Sequence, residues 1–168
     1  MAEKSFRNIK TVELYPWQKD VIGFIDKHET ERDSEKYAGL SDYVVNRELQ
    51  ISVVLPRGAG HTFLSNYIAA KYPSILIYNK LEHYSGLIGN FEINSGTEVI
   101  SSFEIYYAMH KPSNHQPSQE ISEITKKIQS KKIIIVDNSL SVPTDVKDYL
   151  LGATRGAIVF LGHYERNS

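Results

Sequence analysis

The sequence predicts an α/β fold in which a mostly parallel central sheet lies between two layers of helices. Short apolar runs alternate with helical patterns along the chain, and this alternation is typical of a parallel sheet. The runs lack polar alternation, so we expect their strands to be covered on both faces. No repeat divides the 168 residues. We therefore predict a single domain, with a helical lead-in over residues 1–50 and a core over residues 51–168.

The sequence of the lead-in, residues 1–50, predicts one well-defined helix. Pro16 occupies a typical first helical position, and Val21, Ile22 and Ile25 continue an apolar face. The helix is expected to fade into the charged residues 28–36, which are typical of a solvated loop or helix end. Ser41 or Asp42 then provides a cap for a short helix that leads to the first strand.

The sequence of residues 51–168 predicts five strands and four helices. Apolar runs rich in β-branched residues place the strands at 51–55, 74–78, 97–101, 132–136 and 157–161. Apolar spacing and capping residues place the helices at 62–70, 103–110, from Ser118 or Glu120 through Ile128, and 144–154, the last closed by Gly152. Residues 79–96 are rich in glycine and polar residues and predict no regular element.

Composition narrows the class of protein. The hydrophobic content of 41% and charged content of 23% are ordinary for a globular chain. The formal net charge of −1 provides no overall attraction to nucleic acid, so such binding needs a local patch. The absence of cysteine excludes disulfides and thiolate chemistry and suits a cytoplasmic location. The N-terminus has no signal-peptide core, and no long apolar run predicts a membrane span.

A glycine-rich turn between the first predicted strand and its helix is the strongest candidate for a ligand site. Residues 55–62 read LPRGAGHT, which partly matches the phosphate-loop motif GxxxxGK[ST]. Gly60 and Thr62 match, whereas Leu55 replaces the first glycine and His61 replaces the lysine. Arg57 is permanently charged and could supply the missing cation. The alternative is an ordinary turn of another α/β fold.

A buried strand that ends in a carboxylate supports the phosphate-loop interpretation. Residues 133–137 read IIIVD, and Asp137 stands where a magnesium-orienting aspartate is expected. Asn138 follows, where hydrolytic enzymes commonly have glutamate. An asparagine can orient a water molecule, but it cannot accept its proton. Many core strands also end in aspartate at a turn, so the motif gains weight only from its pairing with the loop.

An aromatic segment upstream suggests a base-recognition site. Residues 15–18 read YPWQ, where Gln18 could read adenine and Trp17 could stack on the base. The competing interpretation makes Trp17 a core anchor and Gln18 a helix-surface residue.

In this order, the segments YPWQ, PRGAGHT, ILIY, TEVIS, IIIVD and AIVFLGH resemble the ATPase core of viral large terminases and related helicases, which are P-loop NTPases of the additional-strand type. The resemblance implies a three-layer P-loop NTPase-like fold that binds ATP and Mg²⁺. It assigns Thr62 and Asp137 to the metal, and Gln18 to adenine. It places His163 on a strand that couples hydrolysis to movement on nucleic acid. The phosphate-loop residues it assigns to the nucleotide are Pro56, Arg57, Gly58, Ala59, Gly60, His61 and Thr62.

The resemblance predicts a motor domain that couples ATP binding or hydrolysis to the handling of nucleic acid, with DNA favoured over RNA. Arg57, Asp137 and Asn138 are the predicted catalytic residues. A homo-oligomer, or a separate nuclease or partner subunit, is the expected assembly, and Arg32, Arg47 and Arg155 are unranked candidates for a trans-acting arginine. The departures at His61 and Asn138 leave hydrolysis open, although ATPase activity is favoured.

Two alternative functions accompany this prediction. A degenerate loop domain would bind nucleotide weakly and act through protein contacts. A small-molecule kinase is disfavoured, because the loop lysine is missing and no arginine-rich lid is evident. The basic residues Lys126, Lys127, Lys131 and Lys132 could contact a phosphate backbone, but a solvated helix end is the commoner reason for such a cluster.

Overall fold

The computed structural model describes residues 9–32, 50–56, 60–79, 91–110, 119–131, 133–154 and 156–164. The short helix predicted from Ser41 or Asp42 lies outside these residues. The same holds for Arg47 and for Arg57, Gly58 and Ala59 of the predicted loop.

Among these residues, one sheet of parallel strands forms the centre of the fold. Its members are β1 (Gln50–Pro56), β2 (Ile75–Tyr78), β3 (Glu98–Ser101), β4 (Ile133–Asp137) and β5 (Ala157–Tyr164). They lie in the order β1-β5-β4-β2-β3, and every neighbouring pair is parallel. The strand that precedes the glycine turn and the strand that ends in Asp137 are therefore separated by one strand, β5.

The described helices are α1 (Pro16–Arg32), α2 (His61–Lys71), α3 (Ser102–His110), α4 (Gln119–Ser130) and α5 (Thr144–Ala153). Short 3-10 turns occupy Ile9–Thr11 and Ser139–Ser141. None of the described helices has the length and apolar character that a membrane crossing needs.

Two apolar clusters use alternate residues of the strands, because successive strand side chains point to opposite faces. On one face, α1 and α2 pack against a cluster that includes Ile133, Ile135 and Val159. On the other, α3, α4 and α5 pack against a cluster that includes Ile134, Val136 and Ile158. The α/β class and the parallel sheet are confirmed, and the two clusters are compatible with the predicted three layers.

The element bounds differ from the predictions mainly at their ends. Helix α1 continues to Arg32, so the first part of the charged stretch is a helix end, one of the two predicted alternatives; glutamate and arginine are good helix formers. Gly152 does not close α5 but lies inside it, and Thr154 follows as an extended cap. Strand β5 runs to Tyr164 rather than stopping at Leu161, because its pairing with β1 continues to that residue.

Part of the segment without a predicted element packs on α2. The backbone N–H of Phe91 donates to Asn66 Oδ1 at 2.8 Å. The Phe91 ring lies edge-on to Phe63 and Tyr67, with centroids 5.3 and 5.8 Å away. These contacts hold Phe91 against α2.

Candidate functional site

The carboxyl ends of β1, β5 and β4 lie side by side at one edge of the sheet. The register pairs Leu55 of β1 with His163 of β5, and Leu161 of β5 with Asp137 of β4. The glycine turn therefore follows one end of this row, and Asp137 closes the other. In open parallel sheets, ligands bind outside the carboxyl ends of the strands. The structure thus brings together the two segments that sequence patterns single out. The His163 side chain is not among the described groups.

Gly60 forms the junction between the turn and α2. Its backbone is left-handed, with φ 100° and ψ 25°, and it caps α2 without a side-chain hydrogen bond. Its carbonyl oxygen accepts the first bond of the helix from Leu64 N at 3.0 Å. The N–H groups of the first helical turn have no acceptor within the helix, and that turn contains no acidic residue. Such a helix terminus favours an anion.

Gln18 connects the starts of two helices. Its Oε1 accepts from the backbone N–H of Tyr15 at 2.8 Å, directly before the first residue of α1. Its Nε2 donates to the carbonyl oxygen of Gly60 at 3.1 Å. The side chain is 1% exposed. The amide is therefore engaged with the loop backbone rather than open to a base.

His61, at the position of the usual lysine, is packed against the aromatic residue that was expected to stack on a base. The imidazole is 4% exposed, and its centroid lies 5.2 Å from that of Trp17 with the rings tilted by 41°. Trp17 itself packs against the cluster that contains α1 and α2. Both residues therefore have a clear packing role at the start of α2.

Asp137 is tied to α2 through Ser65, a residue that the sequence interpretation missed. Ser65 Oγ donates to Asp137 Oδ1 at 2.9 Å, and the bond joins residues 72 positions apart. Asp137 is 2% exposed, and a buried carboxylate requires such hydrogen bonds. Ser65 lies three positions beyond Thr62, hence on the same side of the helix. This spacing of two hydroxyl residues is the available sequence clue.

Asn138 adopts a left-handed conformation, with φ 52° and ψ 50°, which asparagine tolerates better than most residues. Its carbonyl oxygen accepts from Ser141 N at 3.0 Å. The turn that follows lies directly over β5, where a Cβ at Gly162 would approach Ser139 Oγ to 2.8 Å. Asn138 thus has a conformational reason for its place after Asp137.

The polar edge continues beyond β4. Asn79 directly follows β2, is buried, and accepts from Ser102 Oγ at 2.7 Å. Ser102 directly follows β3. Neither residue was predicted. Only the order of the strands in the sheet brings the ends of β2 and β3 together, and local sequence patterns do not give that order.

A magnesium ion at this edge would need oxygen ligands from a bound nucleotide as well as from the protein. Within the described part of the chain, no group of three or more histidine or acidic side chains could hold a metal ion. Magnesium bound with phosphates needs only one or two protein oxygen ligands, because phosphate and water oxygens supply the rest. The hydroxyl of Thr62 and the carboxylate of Asp137 have this chemistry.

Two of the predicted phosphate-backbone contacts lie on the other face of the sheet from α2. Lys126 and Lys127 are exposed on α4, which packs on the face opposite α2. The side chains of Arg32, Lys132 and Arg155 are not among the described groups.

Comparison of the chain with protein-family models, with curated proteins and with solved structures gave no match.

Proposed function

We propose that this chain is an ATP-binding motor domain of the terminase or helicase type, which couples nucleotide binding or hydrolysis to nucleic-acid handling such as viral DNA packaging. One observation carries the proposal: the loop-to-helix turn after β1 and the buried carboxylate that ends β4 lie at the same sheet edge, separated only by β5. The intervening strand supports the additional-strand type of P-loop ATPase that the sequence resembles.

In this proposal, the chain's own groups divide the work between phosphate and metal. The N–H groups at the start of α2 bind phosphate oxygens, and Arg57 supplies the permanent positive charge that His61 does not guarantee. Thr62 and Asp137 would hold Mg²⁺, with Ser65 orienting the Asp137 carboxylate through its hydrogen bond. The metal, when bound, neutralises phosphate charge. Nucleic acid is the partner on which a motor of this type acts, and a homo-oligomer or a separate nuclease or partner subunit is the proposed assembly.

Titration with ATP and magnesium tests the loop assignment. Arg57→Ala and Thr62→Ala should each weaken binding roughly tenfold or more, because each removes an interaction with a charged group. Thr144→Ala is a matched control, since Thr144 is an exposed threonine at the start of another helix, α5. Calorimetry gives the affinities. Unchanged affinity in both loop variants would refute the proposed role.

The degenerate-loop alternative is favoured by two observations: His61 packs against Trp17, and Asn138 forms a left-handed turn. Under this alternative, the domain acts as a regulatory or protein-interaction module. Phosphate release, measured with and without DNA, separates the two functions. Turnover that disappears in Asp137→Ala rules the alternative out. Asp137→Asn should also abolish turnover. Because asparagine retains an oxygen that can accept from Ser65, the loss of activity in this variant could not be attributed to loss of the Ser65 hydrogen bond.

A further inference from the structure

We infer that Gln18 is a positioning residue for the start of α2 and does not read adenine, so that neither Gln18 nor Trp17 favours ATP over other nucleoside triphosphates. This inference rests on the proposed function for its ligand, but not for the role of Gln18 at the start of α2.

The orientation of the Gln18 amide is fixed from both ends. Tyr15 presents a backbone N–H and Gly60 presents a carbonyl oxygen, at 2.8 and 3.1 Å from the amide oxygen and nitrogen. Exchange of the two amide atoms would bring donor against donor and acceptor against acceptor. Each bond uses one of the two hydrogen-bonding positions of its amide atom, so it is the burial of the side chain, which is 1% exposed, that keeps a base away from the amide.

The two bonds join two helix starts. The bond to Tyr15 has the geometry of half a capping box, in which a glutamine in the first helical turn reaches back to the N–H before the helix. The bond to Gly60 holds the residue whose carbonyl also receives the first hydrogen bond of α2. Gln18 therefore fixes the position of the N–H groups offered to phosphate, relative to a helix that is anchored in the core.

The second predicted base contact is also used within the protein. The Trp17 ring lies against His61, the first residue of α2. Both residues of the predicted adenine motif thus hold the start of α2. Gln18 does so by a hydrogen bond to the Gly60 backbone, and Trp17 by a ring contact with His61. Neither presents a group that distinguishes adenine from guanine.

Binding of ATP, GTP and inorganic tripolyphosphate, each with magnesium, provides the first test. Gln18→Met keeps the length of the side chain and removes both hydrogen bonds, and it should weaken all three ligands by the same factor, roughly two- to tenfold. Gln119→Met is the matched control: Gln119 is exposed at the start of α4, and its Nε2 donates to Glu123 of the same helix at 3.3 Å. A loss confined to ATP, or no loss for any ligand, would overturn the inference.

Hydrogen exchange in the ligand-free chain provides a test that does not depend on nucleotide binding. Gln18→Glu keeps an acceptor for Tyr15 N–H but removes the donor to Gly60. The Leu64 amide, bonded to Gly60, should therefore exchange faster, while amides in the middle of α1 keep their wild-type rates. An unchanged Leu64 rate would overturn the positioning role. If the wild-type chain binds none of the three ligands, the proposed function and the inference about nucleotide preference both fail, and the exchange rates alone decide the role of Gln18.

Discussion

Replacing Gly60 with alanine should destabilise the chain by about 2–4 kcal/mol. A non-glycine residue held at φ 100° carries a strain of about 1–3 kcal/mol. The added Cβ would also lie 2.8 Å from Gln18 Nε2, so that the amide must move. Its movement breaks the bond to the Gly60 carbonyl, which contributes about 0.5–1.5 kcal/mol.

A second glycine provides the control for this substitution. Gly23 lies exposed inside α1, and a Cβ added there meets nothing within 4 Å. Gly23→Ala should stabilise the chain by about 0.5–1 kcal/mol, because alanine loses less backbone entropy in a helix. Urea denaturation followed by circular dichroism measures both changes, and equal slopes would show that the comparison of midpoints is sound.

The double variant separates the two contributions at Gly60. In a Gln18→Ala background the amide is absent, so Gly60→Ala should cost only the backbone strain of about 1–3 kcal/mol. The difference between the two backgrounds is the coupling between these residues. Wild-type stability in Gly60→Ala, or an identical cost in both backgrounds, would refute the proposed contact between α1 and the loop.

Two further predictions concern the hydroxyl groups of the buried Ser65 and the half-buried Tyr149. Ser65→Ala removes a hydrogen bond to a buried carboxylate and should cost about 1.5–3 kcal/mol in urea denaturation; a cost near zero would show that Asp137 does not depend on Ser65. Burial raises the pKa of the Tyr149 hydroxyl, although its hydrogen bond with Thr125 acts in the opposite direction. Because the unfolded chain then loses this proton first, stability should fall as the pH rises above about 10. Tyr149→Phe should flatten that fall, and a Tyr149→Phe profile identical to wild type would contradict the assignment.

Local patterns were sufficient to predict the strands and the class of fold. The run IIIVD predicts β4 because a continuous β-branched segment suits a strand that is covered on both faces, and β4 is buried throughout. The lengths of helices were harder to predict. The charged residues 28–36 are compatible with both a solvated loop and a solvated helix. This stretch contains no glycine or proline that would mark the end of the helix.

The candidate site was predictable as a set of segments but not as a set of contacts. The glycine turn and Asp137 could be expected at the same sheet edge, since parallel strands have their carboxyl ends together. Which side chain of α2 meets Asp137 depends on how the helix is rotated and how far it slides along the sheet. Thr62 was the expected neighbour because of its place in the motif, whereas the structure adds Ser65, one helical turn further on.

The departures from the loop motif have a common physical consequence at the start of α2. A lysine at this position normally extends into the phosphate site as a mobile charge, whereas His61 packs against Trp17 and fixes the helix start to α1. Gln18 adds a second link through Gly60. Backbone N–H groups held in this way need no rearrangement to receive an anion, and preorganised groups lower the cost of binding. The substitution of lysine by His61 also removes the flexible charged side chain that would follow a phosphate during transfer. Phosphate binding is therefore compatible with these substitutions. In the proposed motor, turnover would depend on the charge of Arg57 and on the carboxylate of Asp137, and loss of turnover in Asp137→Ala is the result that separates a motor from a binding module.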